Sequence, residues 1–96
     1  MYSKFVKVKM MSEQELQEVG RISHFFTKIS VAVVELSSSL SVGDRISIRG
    51  PTTNFEQTID SMQIEHENVT VAKAGQSIGM KVDERVREND TVYKIL

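Results

Sequence analysis

The sequence predicts an all-β fold: a six-stranded closed barrel of Greek-key type with a short N-terminal extension. Three observations lead there. Apolar residues alternate with polar ones in several short segments, the period of a strand rather than of a helix. Glycine, asparagine, aspartate and a single proline separate those segments at regular intervals. From Val19 onward no stretch sustains a helical repeat, and short, evenly spaced strands of this kind build barrels or sandwiches. The expected division is an extension over residues 1–18 and a barrel over residues 19–96.

The extension carries Ser12, Glu13, Gln14 and Glu15, which have the form of a capping box opening a short helical turn that ends near Gly20. Upstream, residues 5–10 fit three descriptions: an edge strand guarded by lysines, a loose arm, or sequence preceding a start at Met11. The first barrel strand covers residues 21–26, and residues 27–30 supply a tight connection to a β-branched second strand at 31–36. Phe25 and Phe26 are adjacent, so on a regular strand only one of them can point inward. Ile46 and Ile48 alternate with Arg45, Ser47 and Arg49 in a third strand, which starts at a Gly43–Asp44 turn and stops at Gly50–Pro51. A long fourth strand is expected over residues 55–65. Phe55, Gln57 and Ile59 share one phase while Met62 and Ile64 have the other, which requires a bulge or sharp bend near Asp60 and Ser61. The fifth strand carries Ile78, Met80 and Val82, and the sixth Val92, Tyr93 and Ile95.

Ninety-six residues suffice for one domain with its own core. There is no cysteine, so disulfide frameworks, thiolate metal sites and cysteine nucleophiles are excluded. The net charge of −1 argues against wrapping long nucleic acid by bulk electrostatics and leaves only a local basic patch for such contact. No apolar run reaches the roughly 20 residues of a membrane helix, and Lys4, Lys7 and Lys9 interrupt the start too often for a secretion signal, which points to the cytoplasm.

Four segments resemble one family. They are Val-Gly-Arg-Ile at 19–22, Leu-Ser-Val-Gly-Asp-Arg-Ile-Ser-Ile at 40–48, Ala-Gly-Gln-Ser-Ile-Gly-Met at 74–80, and Val-Arg-Glu-Asn-Asp-Thr-Val at 86–92. Their order and spacing resemble the second domain of elongation factor Tu and its relatives, over about residues 19–95. Similar barrels are appended to collagenase-like peptidase-family proteins, some of which resemble RNA-modifying enzymes. Gly43 and Gly75 then fall where turns need positive φ, Asn89 stands where the family has glycine, and Gly79 falls where backbones approach closely. The phosphate-cradling loop of the elongation-factor GTPase has no counterpart here, so nucleotide hydrolysis is not implied.

The chemistry-bearing residues point to binding rather than catalysis. His24 and His66 lack a closely spaced ligand set with Glu65 or Glu67, so neither metal nor cofactor is expected. Asp83 and Glu84 are adjacent and would diverge on a strand. The binding candidates are Arg45 and Arg49 on one strand face, Arg21 and Lys28 around the first hairpin, and Arg85 and Arg87 near the last turn; the alternative for these residues is a solvated outer face paired with Glu56 and Asp60. The resemblance implies a non-catalytic translation-factor-like module contacting RNA, with tRNA or the ribosome as partner. Its alternative is a protein-binding accessory barrel serving a collagenase-like peptidase-family or RNA-modifying enzyme in trans.

Overall fold

A computed structural model describes residues 8–11 and 14–96. The strands are β1 (Val8–Met11), β2 (Gln14–Phe26), β3 (Val31–Leu36), β4 (Leu40–Ser41), β5 (Arg45–Gly50), β6 (Thr53–Thr58), β7 (Met62–Ile64), β8 (Glu67–Val69), β9 (Val71–Ala72), β10 (Ser77–Lys81) and β11 (Thr91–Ile95). Nine belong to one antiparallel sheet ordered β6-β5-β11-β2-β3-β10-β7-β8, with β1 added alongside β2, while β4 and β9 form a small second sheet. No helix among the described residues is long and apolar enough to cross a membrane.

The all-β expectation holds, but the sheet is not a closed barrel. Inward side chains from both halves, such as Ile48 of β5 and Met62 of β7, meet in one core, so the sheet folds over on itself. Its end strands β6 and β8 stay unpaired with each other. Beyond β6, Ile59 bonds to the connection between β4 and β5: its N–H donates to the Asp44 carbonyl at 2.9 Å, and its carbonyl accepts from Gly43 at 2.9 Å. A buried side chain adds a link from β6 to the end of β10. Gln57, 4% exposed, donates through Nε2 to the Lys81 carbonyl at 3.0 Å and accepts through Oε1 from the Asp83 N–H at 2.7 Å. One amide thus ties β6 to the end of β10.

Two local expectations are corrected. Residues 12–13 of the proposed capping box lie outside the described residues, but from Gln14 the backbone is strand, not helix. β1 pairs with residues 14–17, and β11 pairs Ile95 with Leu16, Lys94 with Gln17 and Tyr93 with Glu18. Those ladders satisfy the backbone that a helical turn would have satisfied locally, and tertiary pairing wins over propensity. β2 also runs unbroken across residues 18 and 19. A register shift opposite Val92 and Tyr93 makes Val19 the extra residue, so Leu16 and Val19 are both buried although three apart. Part of the edge-strand expectation for residues 5–10 lies outside the described residues; Val8–Met11 is a strand.

The phase change in the fourth predicted strand is real, but a break produces it. β6 ends at Thr58 and β7 begins at Met62, so Gln57, Ile59 and Met62 are all buried. β7 then turns back into β8, a hairpin absent from the sequence reading.

Val19, Ile22, Val34, Leu40, Ile46, Ile48, Ile59, Met62, Ile78, Met80 and Val92 fill the core, each with 2% exposure or less. Burying each such side chain contributes about 1.5–3 kcal/mol against the ordering entropy. Gly43, Gly75 and Asn89 have φ of 97°, 91° and 75°, as expected. Gly50 matters for another reason: a Cβ there would lie 1.9 Å from Oδ1 of Asp90. Buried Asp90 uses Oδ2 to accept from the Arg87 N–H at 2.9 Å, and its backbone with that of Asn89 bonds Ile22 at 2.8 Å in both directions. The last loop is thereby fastened to β2.

Candidate functional site

Strand register decides which of the predicted basic residues meet. Arg49 and Arg21 both lie opposite Thr91, so they flank β11 on one face about 10 Å apart. Arg45 shares that face two strand positions beyond Ser47. Arg49 Nε donates to the buried Ser47 hydroxyl at 2.8 Å, which ties the guanidinium down to the sheet. Lys28 sits apart in the exposed β2–β3 turn, and Arg85 and Arg87 are exposed on the connection from β10 to β11.

The same register brings in carboxylates. Glu35 is opposite Arg21, Glu56 opposite Ser47, and Glu18 opposite Tyr93, which is itself opposite Ser47. Arg45 contacts Glu56 at 3.8 Å and donates to Thr58 Oγ1 at 3.2 Å. Arg21, Arg45 and Arg49 therefore share their face with Glu18, Glu35 and Glu56. A surface of balanced sign does not concentrate positive potential for phosphates.

A second surface, on the neighbouring part of the sheet, is apolar. Phe26, Ile29, Val31, Val33, Gln63, Glu65, His66, Ser77, Ile78 and Gly79 line an open groove of about 500 Å³. Cross-strand pairing explains it. Phe26 is opposite Val31, and the row Val33, Gly79, Gln63 crosses β3, β10 and β7. Phe25 packs against the core, leaving Phe26 outward and 47% exposed, while Ile29 in the turn is 57% exposed. His24 meets Phe26 edge-on at 4.4 Å and lies 3.6 Å from Glu88, so the far end of the groove is bordered by polar groups.

Two features of this groove depart from what the fold needs. Gly79 was expected to permit a close backbone approach, yet a Cβ there would meet only Val31 Cγ1 at an ordinary 3.5 Å. A glycine inside a strand costs roughly 0.5–1 kcal/mol relative to alanine, and no contact among the described residues requires it at this place. At the groove's lip, Glu65 and His66 turn the β7–β8 hairpin with φ of 51° and 68°. Such turns favour Asn-Gly, and side chains with a Cβ are strained there. Glu65, His66 and Gly79 carried other expectations in the sequence, and nothing there joins them to Phe26, because the groove residues come from β3, β7, β10 and two turns and meet only through register.

No family model matches the chain. It is 47% identical over 77 residues to an uncharacterized protease of Methanocaldococcus jannaschii, covering 79% of this chain and 19% of that protein. It is 37% identical over 78 residues to a collagenase of Porphyromonas gingivalis, covering 79% of this chain and 22% of that one. The chain thus spans about a fifth of the length of the curated relatives it matches. Among solved structures it superimposes on the C-terminal domain of a Geobacillus thermoleovorans protein assigned to the U32 peptidases, with a TM-score of 0.76 and 22% identity, over 79% of this chain and 89% of that domain. These relatives support the expectation of a domain of the kind appended to collagenase-like proteins, and do not show identity with the second domain of elongation factor Tu. The chain has the fold of a U32 peptidase C-terminal domain and is similar in sequence to a fifth of a protease and of a collagenase.

Proposed function

We propose that this chain is a non-catalytic accessory domain that binds the catalytic part of a collagenase-like peptidase-family enzyme, either in trans or within a longer polypeptide. The carrying observation is the shared fold with a peptidase's C-terminal domain, joined to 47% identity with one fifth of a protease. A domain that supplies a fifth of such a protein is large enough to shape substrate access or hold the catalytic part in place. The interleaved Glu18, Glu35 and Glu56 give an RNA-docking role on the arginine face less support.

The test uses the Methanocaldococcus jannaschii protease with its matching segment deleted. This chain is then supplied separately or grafted into the gap, and both binding and peptide hydrolysis are measured. Restored hydrolysis, with none from this chain alone, is the expected result. Hydrolysis by the isolated chain, or neither binding nor restoration in either format, overturns the proposal.

A further inference from the structure

The groove of Phe26, Ile29, Val31, Val33 and Gly79 breaks local rules twice at one place, once in its floor and once at its lip. Gly79 lies mid-strand with room for a side chain and none present, and Glu65 with His66 occupies turn positions that suit Asn-Gly better. Departures from local preference that the fold does not explain concentrate where a surface is used. The missing side chain leaves a hollow between Val33 and Gln63 at the centre of the row. Glu65 puts a carboxylate on one rim, and Lys28 adjoins Phe26 and Ile29 at the other end.

We infer that this groove receives an extended segment of a partner protein, with one apolar side chain seated over Gly79 and a lysine or arginine beside Glu65. The inference rests on the accessory-domain reading for the kind of partner, but not for the location of the groove. Glycine in a strand is where another chain can approach closely, and exposed Phe26 and Ile29 offer the anchor's walls. Charge sets the orientation: a cation on the guest pairs with Glu65, and an acidic residue toward its other end meets Lys28. A second copy of this chain does not suit the groove. A stable pair buries about 800 Å² on each partner, far beyond a groove walled by two exposed apolar side chains.

The experiment pans a random-peptide display library against the wild-type domain and against Gly79→Leu, which fills the hollow. Enriched peptides are then synthesised and titrated. Peptides sharing an apolar residue with a lysine or arginine a few positions away are expected. Their affinity should fall roughly tenfold or more on Gly79→Leu and by a similar factor on Glu65→Lys. Thermal melting of each variant confirms folding; if Gly79→Leu does not fold, Ile29→Ser in the exposed turn replaces it. Equal binding to wild type and to the filled groove, a consensus without a cation, or self-association abolished by Gly79→Leu each overturn the inference. None of those results touches the protease-restoration test, so the two readings fail separately.

Discussion

Replacing Gln57 by leucine removes a buried side chain that links β6 to the end of β10. Leucine approximates the shape, so packing is nearly conserved while both hydrogen bonds disappear. They link Nε2 to the Lys81 carbonyl at 3.0 Å and Oε1 to the Asp83 N–H at 2.7 Å. A net bond contributes about 1 kcal/mol, and an orphaned buried partner costs about 1–3 kcal/mol. Lys81 and Asp83 are exposed residues, so water can partly satisfy their backbone and the lower end applies. The expected loss is about 2–3 kcal/mol, or roughly 10–20 °C in melting temperature for a domain of this size. Circular dichroism melts and the exchange rate of the Asp83 amide measure it, and the amide should exchange much faster in the variant. Gln57→Glu sharpens the test. Its carboxylate keeps the bond from Asp83 but faces the Lys81 carbonyl, which raises its folded-state pKa above the unfolded value of about 4.3. Stability should therefore be regained below that pH and lost as pH rises through the folded-state value. A Gln57→Leu melt within the error of wild type, with unchanged Asp83 exchange, would refute the view that this amide fastens β6 to the end of β10.

Three further outcomes are expected. Gly50→Ala should lose about 1–3 kcal/mol because its Cβ collides with the Asp90 carboxylate, whereas Gly79→Ala should be neutral or gain up to about 1 kcal/mol; parallel denaturant titrations compare them. Arg45→Glu should change stability by less than about 1 kcal/mol, since its pair with Glu56 is solvent-exposed, and filter binding should show no specific tRNA affinity in either protein to lose. Replacing Glu65 and His66 together by Asn-Gly should raise stability by about 1 kcal/mol by relieving two left-handed side chains, measured by thermal melts.

Much of the sheet was legible because its strands carry their burial in their own alternation. Val31–Leu36 and Ser77–Lys81 show inward residues at every second position, and Arg45–Gly50 departs from this only at buried Ser47. The turn residues Gly43, Gly75 and Asn89 declared their backbone angles by type. The two-residue strands β4 and β9 were invisible, since so short a segment has no period. Gln14–Gly20 misled because Ser, Glu and Gln at those spacings favour a helix start locally, while the partners that make it a strand lie at residues 8–11 and 91–95. Arg45 and Arg49 share one face as expected, and the expected pairing with Glu56 is present for Arg45. Glu18 and Glu35 arrive from β2 and β3, a juxtaposition on which sequence order carries no information, and closure failed for the same reason.

The position of β11 has a kinetic meaning. This strand is made after the other ten described strands, yet it lies inside the sheet between β2 and β5, pairing with residues 16–21 on one side and 46–49 on the other. Until residues 91–95 arrive, both neighbours present bare hydrogen-bonding edges and Val92 leaves a vacancy in the core. Assembly during synthesis must therefore wait for the final strand, and relaxation times of milliseconds to seconds are expected for such non-local pairing. In that interval the unfilled slot is open to any other extended chain, so crowding and temperature should govern the yield of this domain more than its final stability does.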